Sequence, residues 1–116
     1  DFIVCTSVLS LLESKDKISV LLNEFDRLLN NDGKILIDIN GPDSDFSSKG
    51  KFIDEDTFEY ILSENSEQIL RVYCPRTKEI FAKLLNQFEI VDLGNTTFNY
   101  FNIINSEFIA CLKKKN

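Results

Sequence analysis

Histidine is absent from this sequence, and that one absence removes a large part of enzyme chemistry. No Ser-His-Asp triad, Cys-His dyad or ordinary histidine-bearing zinc site can be assembled from the chain. Tryptophan and methionine are absent too, so the apolar interior has to be built from aliphatic residues and the ten phenylalanines. No apolar run approaches the ~20 residues that cross a bilayer as a helix, which leads to the expectation of a soluble protein. The three cysteines, Cys5, Cys74 and Cys111, are an odd number and form no C-x-x-C pair. That pattern is read as reduced thiols in a cytoplasm. Positive charge is also short. Thirteen basic against nineteen acidic residues give a net charge of -6, which repels phosphate backbones and argues against nucleic acid as a partner. The one basic cluster, Lys113 to Lys115, is read as a solvated tail. No internal repeat, low-complexity tract or linker divides residues 1–116, so a single domain is expected.

What is present alternates in period. Phe2 to Cys5 read as a short buried strand, followed by Thr6, Ser7 and the apolar Val8, Leu9, Leu11 and Leu12. Ile18, Leu21, Leu22, Phe25, Leu28 and Leu29 share one helical face. Asn30, Asn31, Asp32 and Gly33 end that helix, with Gly33 or Asn31 suited to a left-handed C-cap. "KILIDIN" at 34–40 then reads as a strand covered on both faces, as in a parallel sheet layered with helices. Residues 41–53 are expected to be a loop. Asp54 is expected to cap a short helix carrying Phe58, Ile61 and Leu62, with Glu55 and Asp56 in its first turn. "QILRVYC" at 68–74 reads as a strand, Thr77 as the cap of a helix with Ile80, Phe81, Leu84 and Leu85 facing inward, and 88–93 and 107–114 as strands. Strands alternating with helices predict parallel βαβ units, and the last two strands, with no helix between them, predict an antiparallel pair.

In this order and spacing, "DFIVCTSVLSLL", the helix ending "FDRLLNNDGKILIDIN", "TKEIFAKLLNQFEIVDLG" and "SEFIACLKK" resemble the second half of class I S-adenosylmethionine-dependent methyltransferases. Arg27 to Leu29 match the family's helix end, Asn31 to Gly33 its Pro-Gly-Gly turn, and Lys34 to Ile39 its fifth strand. The match covers most of the chain outside residues 41–75. It departs at Leu11, where many relatives carry histidine, and at Asn31-Asp32, which replace Pro-Gly.

The resemblance implies a Rossmann-like, doubly wound, mostly parallel sheet with a final antiparallel strand, and a chain that is a fragment of it. The family's glycine-rich loop and its ribose-binding acidic residue would lie upstream of Asp1, in roughly a hundred further residues at ~30 per βα unit. In open α/β sheets, ligands bind outside the carboxyl ends of the strands. By the resemblance, Cys5, Thr6, Ser7 and Val8 would line S-adenosylmethionine, and Asn40, Gly41 and Pro42 would face the methyl acceptor. Asn40-Gly41-Pro42 is equally an ordinary turn, and Cys5 a small buried hydrophobe. The family's Asp- or Asn-Pro-Pro-aromatic motif of nucleic-acid amino methylases is replaced here by "CTSV", which favours a small-molecule or protein acceptor. The outer edge of the first strand is left unpaired and is expected to be completed by the missing N-terminal half or by another chain. Two other readings stay open: a non-catalytic methyltransferase-like scaffold, and a nicotinamide dinucleotide domain, which the final strand pair fits less well.

Overall fold

A computed structural model describes residues 1–62 and 68–115. Its framework is a four-stranded mixed sheet in the order β1-β2-β7-β6, built from β1 (Phe2–Cys5), β2 (Lys34–Asn40), β6 (Phe88–Tyr100) and β7 (Ile103–Lys114). β1 and β2 pair in parallel, while β7 runs antiparallel to both β2 and β6. The expected antiparallel final strand is therefore present, wedged between its two neighbours. β6 and β7 form one hairpin that continues well past the expected 88–93 and 107–114. Its two-residue turn, Phe101-Asn102, has φ of 51° and 59°, the doubly left-handed geometry that matches strand twist.

Between β1 and β2 the chain makes a 3-10 turn (Leu9–Leu12) and helix α1 (Lys15–Leu28). Ser14 caps α1, its Oγ accepting from the Lys17 N–H at 3.3 Å, which satisfies one of the free amides of the first turn. Ile18 and Leu22 of the predicted stripe are fully buried, Leu21 and Phe25 pack against the core more loosely, and Leu28 is largely exposed. The end of α1 differs from expectation. Neither Asn31 nor Gly33 is left-handed, and Leu29 leaves the helix in extended conformation. Gly33 is needed for closeness instead, since a Cβ there would lie 2.6 Å from Leu29 Cδ1.

Ile35, Ile37 and Ile39 of β2 are buried with Ala110 and Leu112 of β7 under α1 and α3 (Lys78–Leu84); Phe81 of α3 and Leu85, which caps its end, complete the same core. Thr77 caps α3 as predicted, its Oγ1 accepting from Ile80 N–H at 3.1 Å. Both helices thus share one face of the sheet. The opposite face, expected to be covered as well, is open among the described residues: Phe2 is 72% and Val4 64% exposed, and Leu36, Ile109 and Cys111 are only half-buried.

Residues 41–62 depart most from expectation. They contain a four-residue helix α2 (Asp45–Ser48), β3 (Lys51–Asp54) and β4 (Thr57–Ile61), and β4 pairs with β5 (Ile69–Tyr73) in a separate antiparallel sheet. Glu55 and Asp56 are the hairpin turn, at φ 44° and 64°, not a helix start. Phe52 and Phe58 pair across the strands with their rings edge to face at 5.7 Å. β5 packs on the 3-10 turn, which sets this small sheet at the carboxyl ends of β1 and β2. The basic cluster is not a tail either: Lys113 and Lys114 belong to β7, and Lys113 reaches Glu89 at 3.5 Å. Among the described residues, no helix is long and apolar enough to cross a membrane.

Candidate active site

Parallel pairing brings the ends of β1 and β2 side by side, and two hydrogen bonds lock them there. Beyond Cys5 the chain turns through Ser7 at φ 60°, a left-handed conformation uncommon outside glycine. The Ser7 N–H donates to Asp38 Oδ1 at 2.8 Å, a bond to a carboxylate that holds the strained residue in place. One turn later the buried Ser10 accepts the Asn40 N–H on its Oγ at 3.1 Å.

The exit from β2 is equally fixed. Gly41 N–H donates to the Ser106 carbonyl at 2.9 Å, and the Gly41 carbonyl accepts from Ser44 Oγ at 2.9 Å and Ser47 Oγ at 2.8 Å. A Cβ on Gly41 would meet Phe108 Cε2 at 3.2 Å, so the site favours a residue without a side chain.

Above these strand ends lies a cleft of about 270 Å³, bounded by Ser7, Leu11, Asn40, Phe46, Tyr60 and Glu107. Phe46 and Tyr60 meet edge to face at 5.1 Å, and both rings are half-buried. Glu107 lies within β7 directly opposite Asn40 and is 9% exposed. Burial and its hydrogen bond to the neighbouring Asp38 carboxyl push the Glu107 carboxyl up to about 7, the causes expected to favour the neutral form. Burial, with a smaller contribution from Asp38, also raises the Cys5 thiol. Burial drives Cys74 up to about 12, its Sγ 4.0 Å from Ser10 Oγ. These are packing thiols rather than nucleophiles.

The site residues expected from sequence are thus distributed unevenly. Ser7 and Asn40 reach the cleft, Thr6 is exposed, and Val8 is 40% exposed. Cys5 is buried beneath the site, Gly41 is buried with its backbone engaged, and Pro42 lies outside the cleft lining. Sequence reasoning missed Glu107, Phe46 and Tyr60. The alternation of "SEFIACL" places Glu107 on the strand face opposite Phe108, but only the pairing of β7 with β2 brings it to Asp38.

A larger groove of about 520 Å³ separates α1 from α3. Four of its charges are paired with one another, Lys15 at 3.4 Å from Glu55 and Arg76 at 2.7 Å from Asp56. It holds none of the strand-end residues, so the smaller cleft is the better candidate. Among the described residues, no cluster of carboxylates and cysteines could hold a metal ion.

No protein-family model matches the chain, and no curated protein resembles it closely in sequence. Solved structures match it in fold. A S-adenosylmethionine-dependent methyltransferase from Methanosarcina mazei superposes with a TM-score of 0.77 at 17% identity, over 98% of this chain and 58% of its own. One from Clostridium acetobutylicum gives 0.67 at 15% identity, over 100% and 58%. The 1,6-didemethyltoxoflavin-N1-methyltransferase of Burkholderia thailandensis, solved with 1,6-didemethyltoxoflavin and S-adenosylhomocysteine bound, gives 0.57 at 16% identity, over 97% and 44%. The chain has part of the fold of these methyltransferases, and it spans little more than half the length of the first two.

Proposed function

We propose that the protein to which this chain belongs is a class I S-adenosylmethionine-dependent methyltransferase acting on a small-molecule or protein acceptor. The observation that carries the reading is the fold, a sheet in the order β1-β2-β7-β6 with β7 reversed, which superposes over nearly the whole chain on S-adenosylmethionine-dependent methyltransferases. In this reading the sheet continues beyond β1 into a Rossmann-like, doubly wound whole. The bare outer edge of β1 and the open apolar face around Phe2 and Val4 are where the remaining strands and helices pack.

The strand-end residues suit one wall of a cofactor site. Thr6 and Ser7 present exposed polar side chains, Val8 a half-exposed apolar one, and the Ser7–Asp38 hydrogen bond fixes their backbone. Bound there, S-adenosylmethionine would supply an electrophilic methyl group on a sulfonium sulfur. The chain's own contribution is placement: Ser7 and Asn40 form the floor of the acceptor cleft, and Phe46 and Tyr60 of the small sheet side cover it and limit water. Alignment and desolvation of this kind account for much of the catalysis of a group transfer.

Calorimetric titration of the full-length protein with S-adenosylhomocysteine tests the reading. Saturable binding is expected, and Val8→Trp, which adds bulk at the exposed strand end, should abolish it while leaving the circular dichroism unchanged. Absence of binding by the wild-type protein, or undiminished binding by V8W, would count against it.

A further inference from the structure

Glu107 is an unusual residue to find beside another carboxyl, within β7 and opposite the end of β2. It is nearly inaccessible, it sits on the cleft floor next to Asn40, and two half-buried aromatic rings stand over the same space. A carboxyl held only for structure would be better replaced by an uncharged group, because burying two acids together is costly unless one keeps a proton. Resting on the methyltransferase reading, we infer that Glu107 takes the proton lost by a flat, N–H- or O–H-bearing acceptor on methylation, that Asp38 positions it, and that Phe46 and Tyr60 hold the acceptor's ring. The acceptor class is then a planar heteroaromatic or phenolic compound rather than an aliphatic one.

The step balances. The acceptor's N–H or O–H bond breaks and its electron pair forms the bond to the methyl carbon. The carbon–sulfur pair stays on sulfur as a thioether, and the proton moves to a Glu107 carboxylate oxygen. The Glu107 acid so formed carries no charge beside the Asp38 carboxyl on the adjacent strand, so the product protonation state is the one the pocket stabilises. A base with an affinity for protons near neutrality is well matched to such a transfer. The titratable groups around Glu107 are Asp38 on β2, Asp45 on α2 and Tyr60 on β4. Asp45 is itself paired with Lys49 at 3.3 Å, and among the described residues no cation lines the cleft to hold Glu107 permanently ionised.

The test uses the full-length protein saturated with S-adenosylhomocysteine and two probes, indole and 1-methylindole, which share a flat ring but differ in the N–H. Ligand-observed NMR should show indole bound about tenfold more tightly at pH 8, as a charge-assisted hydrogen bond provides. That preference should fade as the pH is lowered through 7 and Glu107 takes up its proton. Glu107→Gln should remove the pH dependence, and Asp38→Asn should move its midpoint to lower pH, which gives a second variant if E107Q fails to fold. Equal affinity for the two probes at every pH, a pH-dependent preference surviving in E107Q, or an unmoved midpoint in D38N would overturn the inference. Binding of S-adenosylhomocysteine, measured in the same samples, separates the two levels: if it binds and indole shows no preference, this inference alone fails, and if it does not bind, the methyltransferase reading fails with it.

Discussion

Replacing Asp38 by alanine removes the residue that joins all three parts of the site, and the size of the effect follows from what it touches. Asp38 is 5% exposed, accepts the Ser7 N–H at 2.8 Å, and is a neighbour that raises the Glu107 carboxyl. A hydrogen bond to a carboxylate contributes ~1.5 to 3 kcal/mol. The left-handed Ser7, no longer tethered, would also relax out of a conformation that costs ~1 kcal/mol, which offsets part of the loss. A net destabilisation of ~0.5 to 2 kcal/mol is therefore expected near pH 5.5.

The effect should depend on pH with a definite sign. Glu107 binds its proton more tightly in the folded state than in the unfolded chain, where a glutamate titrates near ~4.3. The native state therefore holds the extra proton between that value and about 7, and stability falls as pH rises through this window. Part of the raised affinity comes from Asp38, so Asp38→Ala relieves the repulsion that wild-type protein suffers at high pH. The difference between wild type and variant should shrink from pH 5.5 to pH 8.5. Urea unfolding at both pH values measures it directly, with the slope against denaturant held as a check that the unfolded state is unchanged. A loss below ~0.5 kcal/mol at pH 5.5, the range of an ordinary surface change, or a loss that grows with pH, would refute the reasoning.

Other perturbations separate packing from exposure. Leu22→Ala, at a fully buried position, should cost ~2 to 5 kcal/mol by urea unfolding, whereas Leu28→Ala, 56% exposed on the same helix, should stay within ~0.5 kcal/mol. Gly50→Ala would place its Cβ 2.1 Å from the Phe46 carbonyl oxygen and should cost ~1 to 3 kcal/mol, while Gly94→Ala, with nothing within 4 Å, should be nearly neutral. Cys74, buried and with its thiol raised to about 12, should resist iodoacetamide at pH 8 until urea unfolds the protein, as mass spectrometry will show. Expressed alone, residues 1–116 should self-associate through the open face and β1 edge, and Val4→Lys should lower the mass seen by light scattering.

Much of the framework was legible in the chain because it depends on local period. The buried triplet Ile35, Ile37 and Ile39, the face of Ile18 and Leu22, and the Thr77 cap are signals carried within a few residues, and each lies where expected. The region from 51 to 62 was misread for a physical reason. Phe58, Ile61 and Leu62 fall at helical spacing, and the hairpin that overrides it depends on left-handed Glu55 and Asp56, residues far less usual there than Asn-Gly. Phe101-Asn102 hid the length of the last hairpin in the same way. Of the residues that line the cleft, Ser7 and Asn40 were expected from the family resemblance and the rule that ligands bind at strand ends. Glu107 was not, because its burial and its contact with Asp38 arise from the register Asn40↔Glu107 between segments more than sixty positions apart in sequence. The second wall of the cleft, Phe46 and Tyr60, likewise depends on the small sheet standing over the strand ends.

The most direct measurement is a crystal structure of the full-length protein with S-adenosylhomocysteine. The ligand should lie against residues 5–8 at the carboxyl end of β1, with β1 paired on its outer edge by a strand from outside residues 1–116 and the cleft beside Asn40 and Glu107 open to the ligand's sulfur. Density for the ligand elsewhere on the molecule, none at saturating concentration, or an outer β1 edge left unpaired would contradict the proposal that this chain is one part of a methyltransferase site.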